Sequence, residues 1–115
     1  KRDRTCVSCG IVGTQMILDL DPGGNAHFNL YGEENGRLVL MTKDHILPKS
    51  KGGENSLTNY ATMCCICNNL KGDASLTLDE CRQLRQLHKN EAKLPRKELR
   101  ELINMYRKRL TLKET

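Results

Sequence analysis

Two C-x-x-C pairs, Cys6-Val7-Ser8-Cys9 and Cys64-Cys65-Ile66-Cys67, constrain this chain more than any other feature of it. Two such pairs supply four thiolates, the ligand set of a closed tetrahedral structural zinc site. They are separated by 54 of the 115 residues, so the intervening fold must bring them together. Gly10 follows the first pair directly, as expected where a chain turns tightly around a metal. A staple is also what the composition demands. Only 37% of the residues are hydrophobic, and the aromatic residues are three tyrosines and one phenylalanine. A chain this small with so modest a core usually needs disulfides or a metal. The opening stretch is polar and charged, with no secretory signal, which disfavours a disulfide framework. An intracellular setting is expected: cytoplasm, nucleoid or a phage-infected host cell. The competing reading of the pairs is unrelated buried or free thiols. Cys65 competes as a ligand from inside the second pair, and Cys81 suits packing on a helix.

Residues 1–10 read as a zinc knuckle, and residues 11–20 are apolar with either helix or strand character. Asp21-Pro22-Gly23-Gly24-Asn25 is a loop. His27–Tyr31 alternates like a strand, Asn35-Gly36 favours a hairpin turn, and Arg37–Thr42 reads as the return strand. The polar residues 43–58 read as a long loop, the kind that is usually functional or disordered. Asn59–Met63 suits a short strand, and Cys64–Gly72 a helix that the glycine ends. Thr77-Leu78-Asp79-Glu80 fits a capping box, after which Leu78, Cys81, Leu84, Leu87 and His88 share one helical face. Pro95 suits the first turn of another helix, whose apolar stripe is Leu99, Leu102, Ile103, Tyr106 and Leu110. A soft boundary falls near residue 75. The longest purely apolar run near the middle, Leu38–Met41, is far short of the roughly 20 residues of a membrane span.

The net charge of +5 is unevenly spread. Residues 1–81 carry 8 basic and 10 acidic groups, giving −2, whereas residues 82–115 carry 11 basic and 4 acidic groups, giving +7. A basic C-terminal third suits a phosphate-binding surface. It equally suits a solvated helical face.

The stretch richest in chemistry runs from Asp44-His45-Ile46-Leu47-Pro48-Lys49-Ser50-Lys51-Gly52-Gly53 through Asn59 to Cys64-Cys65-Ile66-Cys67-Asn68-Asn69-Leu70-Lys71-Gly72. It sets a carboxylate beside an imidazole at a strand end, followed by carboxamides and lysines. Asp and Asn oxygens suit a hard divalent cation, and neutral imidazole serves as a general base near pH 7. Lys49, Lys51 and Lys71 suit phosphates, although Lys71 also fits as a helix-end cation. Together the parts point to metal-assisted hydrolysis of a phosphodiester.

In this order, the elements resemble the HNH endonucleases of the ββα-metal (His-Me finger) fold, over residues 6–9 and about 37–73. The resemblance implies an α+β chain. A ββα-metal core with the zinc knuckle would occupy residues 1–75. A basic helical extension would occupy residues 76–115, as part of the same compact domain or as a DNA-binding arm. His45 would deprotonate the attacking water, and Asp44 and Asn68 would bind one catalytic magnesium or manganese ion. Asn59 would brace the loop that aims His45, a role that overlaps with capping a turn. Cys6, Cys9, Cys64 and Cys67 would hold structural zinc. Where many members carry a third histidine this chain has Asn68, with Asn69 as the competing choice. The expected partner is DNA in double-stranded form, gripped through Lys49, Lys51, Lys71, Arg82, Arg85, Lys89, Arg96, Lys97 and Arg100, with no membrane involved. The alternative is a zinc-stabilised nucleic-acid-binding module without catalysis.

Overall fold

A computed structural model describes residues 4–45, 52, 60–72 and 74–113. It is an α+β fold with four strands followed by three helices: β1 (Gln15–Leu20), β2 (Ala26–Glu34), β3 (Arg37–His45), β4 (Tyr60–Cys64), α1 (Cys65–Lys71), α2 (Leu78–Asn90) and α3 (Arg96–Lys113). The sheet is antiparallel in the order β1-β2-β3-β4. Among the described residues, no helix is long and apolar enough to cross a membrane.

The two-sided apolar stretch after the knuckle resolves as strand β1, whose residues pair from Gln15 opposite Tyr31 to Leu20 opposite Ala26. The β2–β3 turn is the one expected from Asn-Gly. Asn35 and Gly36 both have positive φ, 52° and 77°, which matches the turn to the twist of its strands. Both strands run further than the sequence pattern suggests. Gly32 is inside β2 and not at its end, because a Cβ there would lie 2.8 Å from the Val12 carbonyl oxygen and only glycine lets the knuckle segment lie so close. Strand β3 extends through Lys43, Asp44 and His45, which pair with Thr62, Ala61 and Tyr60. These polar residues read as loop because the backbone pairing that makes them strand comes from β4, far along the chain. Strand β3 pairs with β2 through Arg37–Leu40 and with β4 through Met41–His45, so its halves serve different neighbours.

The capping box at α2 is present as expected. The Glu80 backbone N–H donates to Thr77 Oγ1 at 3.1 Å, and the Thr77 N–H donates to Glu80 Oε1 at 2.9 Å. The buried face of α2 is Cys81, Leu84 and Arg85, while Leu78 is exposed. Two apolar clusters result. One gathers Cys6, Val39, Met41, Met63, Cys64 and Cys67 under the sheet. The other joins Leu70 of α1 to Leu84 of α2 and to Ile103 and Leu110 of α3. The second cluster places residues on both sides of position 75 in one packed group. Lys49, Lys51 and Asn59 lie outside the described residues.

Candidate functional site

The knuckle is built by backbone. Cys6 N–H donates to the Ile11 carbonyl at 2.8 Å and Gly10 N–H to the Cys6 carbonyl at 3.0 Å, with Gly10 at φ 85°. Val7 N–H donates to the Thr62 carbonyl at 3.0 Å, tying the knuckle to β4. The second pair straddles the β4–α1 junction, where Cys64 is the N-cap of α1. Both pairs then share one local device. Cys9 N–H donates to Cys6 Sγ at 3.5 Å, and Cys67 N–H donates to Cys64 Sγ at 3.4 Å.

The four sulfurs of Cys6, Cys9, Cys64 and Cys67 all lie within 4.8 Å of one another. Cys9 Sγ and Cys64 Sγ are 3.7 Å apart. Tetrahedral zinc with bonds of ~2.3 Å would set sulfurs ~3.8 Å apart, whereas a disulfide needs ~2.05 Å. The spacing is that of a metal cage and not of a bridge. Electrostatics agree. The Cys6 thiol is driven far down by hydrogen bonds from Cys64 and Cys67. Cys64 is pushed up to about 12, mainly by its bond to Cys6, and Cys67 is pushed up further by bonds to Cys6 and Cys64. The Cys6 thiolate is held by the two thiols that bond to it, and Cys64 and Cys67 keep their own protons the more tightly for doing so. A divalent cation displaces those protons. Cys65 is half-buried and outside the four, and Cys81 is buried on α2.

Helix α2 is clamped onto this cage. Arg82 donates from Nε to the Ser8 carbonyl at 2.9 Å and from an Nη to the Val7 carbonyl at 3.2 Å. Arg85, 4% exposed, donates to both Glu34 carboxylate oxygens at 2.7 and 2.6 Å. Burial alone would make the Arg85 guanidinium easier to deprotonate, but the Glu34 hydrogen bond and charge outweigh it. Arg85 holds the Glu34 carboxyl below its usual range in return. Lys89 reaches the same carboxylate at 3.7 Å. Of the residues expected at a DNA contact, Arg85 is out of solvent and ion-paired with Glu34, whereas Arg82 and Lys89 keep 53% and 47% of their side chains exposed. Lys71 is also corrected as an open phosphate contact, because it is 3% exposed at the last turn of α1. Ser8 Oγ and Arg85 Nε are buried with no hydrogen-bond partner among the described residues. Two spare donors beside a cage of thiolates suit a metal-bound tetrathiolate, which carries excess negative charge.

Strand β3 ends in Asp44 and His45, their backbones opposite Ala61 and Tyr60 of β4. Helix α1 packs against both strands and presents Asn68. Thr42 Oγ1 donates its one proton to the Met63 carbonyl at 2.7 Å. It can therefore only accept from Asn68 Nδ2, at 3.0 Å. This orients the amide and leaves Asn68 Oδ1 as an acceptor of the kind that could hold a hard cation. Asn69 is exposed on another face of α1. Thr42 was not legible as the partner of Asn68, because only the strand pairing gives its position, two residues before Asp44, a meaning. His27 pairs with Asp21 at 3.0 Å in the β1–β2 hairpin.

The family model described as HNH endonuclease matches residues 31–74, from β2 to just past α1. No curated protein and no solved structure matches the chain.

Proposed function

From the premise that residues 31–74 are an HNH endonuclease segment, we propose that this chain is a metal-dependent endonuclease that hydrolyses DNA phosphodiester bonds. The observation that carries the reading is the family match over one continuous unit, β3, β4 and α1, with Asn68 of α1 hydrogen-bonded to β3. Strands β3 and β4 and helix α1 are the elements that the proposed ββα core would use. Asp44 and Asn68 are the residues that would hold a magnesium or manganese ion, which when bound supplies positive charge for the scissile phosphate and the leaving 3′-oxygen. His45 takes the proton from the attacking water, and the products carry 5′-phosphate and 3′-hydroxyl ends. Asn59 braces the segment that aims His45. Cys6, Cys9, Cys64 and Cys67 hold a structural zinc. Arg96, Lys97 and Arg100 of α3, with Lys49 and Lys51, contact duplex DNA. The basic helices form the extension that begins near residue 76.

The test is cleavage of supercoiled plasmid by zinc-loaded protein, with magnesium or manganese added or withheld. Relaxed or linear product is expected only with the added metal. Folded, zinc-loaded protein that leaves plasmid untouched under all of these conditions overturns the reading in favour of a nucleic-acid-binding module without catalysis. Thr42 offers a finer check. Thr42→Val is expected to raise the magnesium concentration needed for half-maximal cleavage by about 10-fold or more, as loss of a ligand-orienting partner does. Zinc content stays at the wild-type level, and Thr42→Ser restores the wild-type magnesium dependence. An unchanged magnesium dependence in Thr42→Val removes the orienting role.

A further inference from the structure

A cleft of about 500 Å³ lies where α3 crosses the end of α1 and the C-terminal half of α2. Its walls are Arg96, Arg100, Arg107, His88, Asn69 and Asn104, over an apolar floor of α1 and α3 side chains. No carboxylate lines it. Arg96, Arg100 and Arg107 recur at four and seven residues, so they share one face of α3. Like charges four residues apart on a helix repel, a cost normally relieved by an interleaved acid. The α3 acids Glu98 and Glu101 do not line the cleft. Arg107 is anchored. It donates to the Leu70 carbonyl at 2.6 Å and the Asn69 carbonyl at 3.2 Å, closing the end of α1. Arg96 and Arg100 are exposed and have no hydrogen-bond or ion-pair partner among the described residues. His88 is half-buried, and burial together with the nearby Arg85 charge favours its neutral form.

We infer that this cleft is an anion site that takes a backbone phosphate of the nucleic-acid strand beside the one being cut. The inference rests on the nuclease reading and deepens it. Two free guanidiniums and two carboxamides supply donors for phosphate oxygens, and the apolar floor suits the face of a sugar. The position supports a strand phosphate over a free anion. Asn69, on the cleft wall, is the next residue along α1 from Asn68, whose amide faces β3. One helix thus borders both the cleft and the proposed cutting site. This seats Arg96 and Arg100 of the proposed DNA contact in the cleft.

The experiment measures binding of a short fluorescent duplex by zinc-loaded full chain, without magnesium, over a range of salt. Arg96→Gln/Arg100→Gln is compared with Lys93→Gln/Lys108→Gln, which removes the same charge from exposed residues outside the cleft. The cleft pair is expected to lose about 10-fold or more in affinity, and the slope of log affinity against log salt to fall by about 2. The outer pair stays within about 2-fold of wild type, and all proteins keep their zinc and their melting temperature. Equal losses in both pairs, or none in the cleft pair, overturn the inference. Inorganic phosphate is the second probe. If it raises the melting temperature of wild type but not of the cleft pair, while duplex affinity is the same in both, the cleft is a small-anion site and the strand assignment falls. The two readings fail separately. Wild type that binds through the cleft but does not cut with magnesium sinks the nuclease reading alone. Wild type that cuts while the cleft pair binds normally sinks the cleft alone.

Discussion

His45→Ala is expected to lower plasmid cleavage by about 100- to 10,000-fold, the usual contribution of a positioned general base. Zinc content, melting temperature and duplex affinity remain those of wild type. The split follows from where His45 stands. Its backbone closes β3 opposite Tyr60, and it is not among the four cysteines of the cage. Removing an imidazole there leaves the α1–β3 packing, the Thr42–Asn68 contact and the α2 clamp in place. Under the proposed mechanism, what is lost is the group that accepts the water proton as the phosphorus–oxygen bond forms. Phosphodiester hydrolysis needs more than about 8 kcal/mol of barrier lowering, so neither base nor metal suffices alone. Magnesium should therefore still bind to the variant without restoring its rate. Free imidazole added to His45→Ala is expected to recover part of the lost activity, because a diffusible base can enter the space vacated by the side chain. A variant that cuts at the wild-type rate would remove His45 from the mechanism.

The parts of this molecule legible in the sequence are those set by local chemistry. The C-x-x-C pairs declare themselves because the first sulfur of each pair accepts the backbone N–H of the second cysteine, three residues on. The Asn35-Gly36 turn and the Thr77–Glu80 capping box are equally local, and both occur where the sequence puts them. What depends on distant partners was not legible. Arg82 and Arg85 look like a basic surface until α2 is laid against the knuckle, 74 residues from Arg82 to the Ser8 carbonyl it holds. One signal did exist for Arg85: it lies four residues after Cys81 and next to Leu84, within the apolar stripe, where an arginine needs a partner. Glu34 gave no sign of being that partner. Net charge counts these arginines alike, although Arg85 is buried on Glu34 and Arg82 donates to knuckle carbonyls.

Cys64→Ser is expected to lose both zinc and the cooperative fold. Cys64 has no exposed surface, lies in the same buried cluster as Met41 and Met63, and its sulfur sits 3.7 Å from that of Cys9. It is also the N-cap of α1, so a single atom joins β4, the helix that carries Asn68, and the metal cage. Structural zinc contributes about 10–16 kcal/mol of apparent binding free energy in small zinc domains, against a usual net stability of about 5–15 kcal/mol. Losing one of four ligands removes enough of that to unfold a domain with so few large apolar side chains. Serine retains the N-cap acceptor, so an unfolded variant points to the missing thiolate and not to the missing cap. Cys65→Ser is the matched control, one residue along and outside the four sulfurs, and is expected to keep one zinc per chain and the wild-type melt. The measurement is zinc content with thermal unfolding followed by circular dichroism. Wild type treated with a strong zinc chelator should reproduce the Cys64→Ser profile and recover on adding zinc back. Cys64→Ser that holds a full zinc and melts like wild type would show that three sulfurs suffice, and the cage would then owe its stability to the packing of Cys6, Met41 and Met63 around it.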